Sequence, residues 1–175
     1  FVTRLLDEGW EVVIETSGLA DPGPILTSFA TDRALGGECH IETVIAVADA
    51  VNGLAALDQF PEARRQAILA DTIAVTKTDL ASLEACERLV ARLRALNPRA
   101  PIVTARHGRA DAEIFAVGEG SLAFCADATS AEARHSDNIG SFTLIWQQPL
   151  PWPVVARTMD TLLALRGSDV LRAKG

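Results

Sequence analysis

Three short apolar runs, "EVVIE" at 11–15, "ETVIAVAD" at 42–49 and "DTIAVTK" at 71–77, end on the charged residues Glu15, Asp49 and Lys77. Runs of this length, rich in valine and isoleucine and with little polar alternation, are the buried strands of a parallel sheet. Helical patterns lie between them. "FVTRLLDEGW" reads as the end of a helix closed by Gly9, and Asp21-Pro22 as an N-cap and first-turn proline for a helix through "ILTSFATDRAL", stopped by Gly36 and Gly37. Two helical pieces occupy roughly 50–58 and 61–70. In the clearest helix, Leu83, Cys86, Leu89, Val90, Leu93 and Leu96 recur at three- and four-residue intervals as one apolar stripe, and Asn97-Pro98 ends it. "PIV" at 101–103 supplies a fourth strand. Strand and helix therefore alternate, which predicts an α/β fold with a mostly parallel sheet.

From about 104 to 137 the pattern gives way to Ala, Gly, Asp and Ser, with one weak helical stretch near 111–116. Beyond it, "IGSFTLIW" alternates as a strand, "PWPVVARTMDTLLALRG" reads as a proline-started helix closed by Gly167, and "DVLRAK" as a further strand. Three segments are expected: an α/β unit over 1–118, a linker over 119–137, and the start of a small α+β domain over 138–175. Phe142, Trp146 and Trp152 are expected in the core of the latter.

Several function classes are excluded. A chain of 175 residues that is 49% hydrophobic can bury a core, yet no run approaches the ~18 apolar residues of a membrane span, and no signal peptide is evident. Phe1 is no initiator and Met159 is the only methionine, so a fragment or a processed product is expected. A formal charge of −7, with the arginines between 88 and 99 preceded by Glu84 and Glu87, leaves no basic field for nucleic acid. Three scattered cysteines, Cys39, Cys86 and Cys125, do not form a secreted disulfide framework and fit a reducing cytoplasm.

Ligands of open α/β sheets bind in the crevice beyond the carboxyl ends of the strands, where Glu15, Asp49 and Lys77 would converge. The alternative for each, taken singly, is a solvated loop position. "TKTDL" at 76–80 is the most informative group. A carboxylate there can accept hydrogen bonds from the N1–H and N2 amino group of guanine, whereas adenine presents an acceptor at N1. Asp79 therefore reads as a guanine selector, and Lys77 can lay its alkyl stem along base or sugar with its ammonium in water. Glu15 suits the holding of magnesium-bound waters, and the bare Gly18 N–H suits close approach to a γ-phosphate. Thr16 and Ser17 can orient water or cap the turn.

"IETSGLADPGPI", "TVIAVADAVNGLAALDQFPEARRQ", "ADTIAVTKTDL", "LNPRAPIV" and "IGSFTLIWQQPLPWP…LLALRGSDVLRAKG", in this order, resemble the CobW-type family of cobalamin-synthesis-related P-loop GTPases and metal chaperones over nearly the whole chain. The resemblance implies part of a P-loop GTPase domain over 1–118 and the opening of the family's C-terminal domain over 138–175. It also implies that GTP binding and hydrolysis, with Mg2+, gate delivery of a metal such as zinc or cobalt to a client metalloprotein. Glu15 and Gly18 match the family's E-x-x-G element, with Glu15 beside magnesium through water; Lys77 and Asp79 match its base-selecting N-K-x-D. Thr76 stands where asparagine is usual, and its hydroxyl replaces only part of an amide's hydrogen bonding.

The family's G-x-x-x-x-G-K-[ST] phosphate loop and C-x-C-C motif do not occur in these residues. Losing three charge-assisted hydrogen bonds to phosphate, at ~1.5–3 kcal/mol each, costs roughly 4.5–9 kcal/mol, or about three to six decades in affinity. The fragment by itself is expected not to turn over GTP. A non-catalytic interaction module that keeps the fold is the competing expectation. Cys39-His40 is read as incidental placement, Cys86 as core, and Cys125, His107 and His135 as lacking zinc-site spacing.

Overall fold

A computed structural model describes residues 5, 7–31, 41–110, 112–115, 146, 148–170 and 173. Its elements are α1 (Pro22–Thr31), β1 (Ile45–Asp49), α2 (Gly53–Gln59), α3 (Pro61–Leu69), β2 (Thr72–Thr76), α4 (Leu83–Leu96), β3 (Ile102–Ala105), a 3-10 turn (Ala112–Phe115) and α5 (Trp152–Arg166). The sheet is parallel in the order β1-β2-β3, with Ala46 opposite Ile73 and Ile73 opposite Ile102. Both crossovers step the same way along the sheet, so right-handed connections put α2, α3 and α4 on one face. There Ile73 and Val75 of β2 meet Leu57, Ala67, Leu89, Leu93 and Leu96 in the core.

Local chemistry sets the boundaries. Asp21 caps α1 by accepting from the Gly23 N–H at 2.9 Å, and proline opens both α1 and α3. Ser82 caps α4 through the Ala85 N–H at 3.2 Å, and the predicted apolar stripe buries Leu89, Leu93 and Leu96. Cys86 packs against the core at its margin, as its place on the stripe suggests. Gly9 adopts φ +80 while the Trp10 N–H reaches back to the Leu5 carbonyl at 3.0 Å, the left-handed closure expected of a helix-ending glycine.

Three expectations are corrected. Residues 11–15 form no strand: among the described residues nothing pairs with them, and Val13 is 81% exposed. An apolar run becomes a strand only where a neighbour supplies the ladder. β1 is not buried on both faces: Val47 is 68% exposed, and among the described strands β1 lies at the edge. Trp146 and Trp152 are 56% and 76% exposed, and no described residue of α5 is buried, since no described layer packs on that helix. Gly167 closes α5 after Arg166, as expected, and at φ −57 passes into a 3-10 turn, Gly167–Asp169. The linker, Phe142, Cys39-His40, Cys125, His135, all but Trp146 of the strand predicted over 139–146 and half of that over 169–174 lie outside the described residues.

Candidate functional site at the carboxyl rim of the sheet

The rim is built where β1 and β2 end side by side, Asp49 in register with Thr76. The Ala50 N–H donates to the Thr76 carbonyl at 2.9 Å, carrying the ladder one step past the strands. Thr76 turns its hydroxyl toward β1 and donates to the Ala48 carbonyl at 3.4 Å, so this side chain braces the sheet. Lys77 then takes φ +55, in the left-handed region that non-glycine residues rarely occupy. The Leu80 N–H closes a tight turn onto the Lys77 carbonyl at 3.0 Å. This turn holds Thr78 and Asp79 over the end of β2.

Asp49 and Lys77 meet, Nζ to Oδ2, at 2.6 Å. The other Asp49 oxygen accepts from the Val51 N–H at 2.7 Å and the Asn52 N–H at 3.4 Å, and the Asn52 side-chain amide reaches Oδ2 at 3.3 Å. Burial pushes the Asp49 carboxyl up, but the bonds from Lys77, Val51 and Asn52 outweigh it and hold the group below the usual carboxylate range. A carboxyl depressed in the folded state stabilises the fold above its unfolded value of about 3.9 and loses that contribution as pH falls through the folded value. Because the pair is partly solvated, its contribution is at most about 1 kcal/mol. Urea midpoints of the parent and Asp49→Asn should differ slightly at neutral pH and converge as pH falls through the depressed folded value.

Opposite this turn, β3 leads into Arg106-His107-Gly108-Arg109, closed by reciprocal Arg106–Arg109 backbone bonds of 2.9 Å. His107 at φ +50 and Gly108 at φ +71 are both left-handed, as such a two-residue reversal demands. Arg106 Nε donates to Thr78 Oγ1 at 3.0 Å, and His107 Nε2 lies 3.9 Å from Asp79 Oδ2. The sequence reading assigned no part to this second wall; its signal was "RHGR" directly after the fourth strand, where a His-Gly pair suits a tight reversal. A shallow open cleft of about 650 Å³ is lined by Thr104, Arg106, His107, Arg109 and Ala110.

Glu15 does not stand at a strand end. It is exposed, and among the described residues it has neither hydrogen-bond nor ion-pair partner. Gly18 has open space where a side chain would begin, so its backbone is approachable. The segment that follows is anchored to α3: Gln66 Nε2 donates to the Gly18 and Ala20 carbonyls at 3.1 and 2.8 Å, and Arg65 pairs with Asp21. The rim thus unites Asp49, Thr76, Lys77 and Asp79, while Gly18 belongs to a segment docked on a helix. No three His, Cys, Asp or Glu side chains converge as a metal-binding group among the described residues. No described helix is long and apolar enough to cross a membrane.

Residues 3–104 match the model of the CobW/HypB/UreG nucleotide-binding domain. The chain is 34% identical over 170 residues to the zinc chaperone YjiA of Escherichia coli, covering 94% of this chain and 52% of that protein. It is 34% identical over 101 residues to zinc-regulated GTPase metalloprotein activator 1 of Schizosaccharomyces pombe, covering 57% of this chain and 25% of that one. The crystal structure of Zn(II)-bound YjiA GTPase from E. coli superposes with a TM-score of 0.60 at 29% identity, over 95% of this chain and 55% of its own. The chain thus spans about half the length of the bacterial relative and a quarter of the yeast one.

Proposed function

This chain belongs to the CobW/HypB/UreG nucleotide-binding domain family, and from that premise we propose that it is the base-reading part of a GTP-binding and GTP-hydrolysing metal chaperone. One observation carries the proposal: Asp79 and Lys77 sit on a tight turn at the carboxyl rim of a parallel sheet, with Arg106 and His107 of the 106–109 reversal set against that turn. Asp79 would take the guanine N1–H and N2 amino hydrogens, Lys77 would lie along the base or sugar, and Thr76 would fix the strand end beneath them.

At the phosphate end the fit is partial. Gly18 has open space where a side chain would begin, and Glu15 is an exposed carboxylate suited to the waters of a magnesium ion, which would neutralise charge on the transferring phosphoryl group. A single acid and one glycine do not make a phosphate cradle, so hydrolysis is assigned to the intact protein. The transported metal, as cargo, would be zinc, the metal for which both relatives are named, with cobalt as the other choice. The proposal includes a client metalloprotein, a cytoplasmic setting, and division into a GTPase unit over 1–118, a linker over 119–137 and a C-terminal unit over 138–175. The exposed position of Glu15 favours a second reading, a fold-retaining interaction module without turnover.

Titrating the intact protein with a fluorescent guanine nucleotide separates the two. Tight magnesium-dependent binding, competed by GDP and not by ADP, is the expected result. Absence of binding with the fold intact would leave the module reading standing.

A further inference from the structure

Asp49 is one of the most heavily engaged carboxylates among the described residues, and nothing in the proposed base contacts uses it. One oxygen holds the backbone turn after β1 through the Val51 and Asn52 N–H groups; the other holds Lys77 Nζ at 2.6 Å. The lysine backbone is itself fixed, left-handed at φ +55, between the Ala50–Thr76 ladder bond and the Leu80–Lys77 turn bond. With both ends of the side chain constrained, the aliphatic stem must run across the mouth of the sheet from β2 toward β1. We propose that Asp49 is the positioning residue of the nucleotide site: it neutralises the Lys77 ammonium and pins the stem in place, so that the nucleotide meets an ordered apolar ledge rather than a mobile cation. His107 faces Asp79 on the far side of the turn and is no partner of the pair.

This inference rests on the guanine-site reading and adds a requirement to it. Pinning a flexible side chain before the ligand arrives spares an ordering cost equivalent to about a threefold to tenfold change in affinity. Guanine over adenine is decided by Asp79 and should be untouched.

The test is a double-mutant cycle in the intact protein, with a fluorescent GDP analogue as probe and Asp49→Asn, Lys77→Met and the double variant compared with the parent. Asp49→Asn keeps an acceptor for the turn, so its melting temperature should fall by no more than about 4 °C. Each single variant should bind about threefold to tenfold more weakly, the double variant no more weakly than Lys77→Met, and the GDP-to-ADP preference of Asp49→Asn should equal the parent's. Parent-like affinity of Asp49→Asn, or losses that multiply in the double variant, would overturn the assignment while leaving the guanine site intact. A parent that binds no guanine nucleotide overturns both.

Discussion

Replacing Asn97 by alanine should destabilise the fold by about 3–5 kcal/mol, a large part of the 5–15 kcal/mol that holds a typical domain together. The residue is buried, and its amide joins three segments. Nδ2 donates to the carbonyls of Ala67, Ile68 and Ala70 at 3.0, 3.2 and 2.9 Å, the last carbonyls of α3 and its exit toward β2. Oδ1 accepts from the N–H groups of Arg99 and Ala100 at 3.3 and 3.1 Å, at the entry to β3. Alanine removes every one of these partners at a buried position, and each orphaned group carries a desolvation penalty of about 1–3 kcal/mol, offset in part by water entering the vacated space. Asn97→Asp should be at least as damaging, because it sets a carboxylate against three carbonyl oxygens. Urea unfolding followed by circular dichroism checks both: the midpoint should drop with little change in slope. An alanine variant within about 1 kcal/mol of the parent would show that the amide is not the staple the geometry describes.

The second large effect concerns specificity. Asp79→Asn should lower the affinity of the intact protein for GDP by roughly a hundredfold or more and raise its relative affinity for xanthine nucleotides. Guanine offers two donors to this position, and two hydrogen bonds to a charged acceptor contribute about 1.5–3 kcal/mol each. Xanthine carries a carbonyl where guanine carries the amino group; a carboxylate repels it, and an amide can donate to it. The Asp79 turn is braced from the 106–109 reversal by Arg106 on Thr78, a contact that the substitution does not touch, so the fold should persist. Competition titrations with GDP, XDP and ADP against a fluorescent nucleotide give the answer. Unchanged preference among the three would remove Asp79 from the base site.

The fold was legible in the sequence where local pattern and burial coincide. The α4 stripe needed only helical spacing, and the structure buries its Leu89, Leu93 and Leu96, while Leu83 at its first turn stays exposed. Strands β1, β2 and β3 fall on the predicted apolar runs, short stretches of valine, isoleucine and alanine that suit a parallel sheet, most fully in the central strand β2. The same criterion failed at residues 11–15, whose composition is equally strand-like. Strand formation depends on a hydrogen-bonding neighbour at the same level, and no residue pattern within the run encodes one.

The site was legible in part. Placing Asp79 and Lys77 at a strand end required only the apolar run before them and the general location of ligands on open α/β sheets. The Asp49–Lys77 pair was not legible, since 28 residues separate the partners and only the register of β1 on β2 brings them together. The facing wall at 106–109 was missed for a similar reason: its part is visible only once His107 stands beside Asp79.

By itself the sequence determined the described helices, the three strands that pair and their order, because periodicity and side-chain chemistry are local properties carried by each segment. Tertiary structure alone decided that Asn97 staples three segments, that Lys77 is pinned by Asp49, and that Glu15 lies exposed rather than at a strand end. These outcomes depend on distances between residues far apart in the chain, and such distances are fixed by sheet register and helix packing.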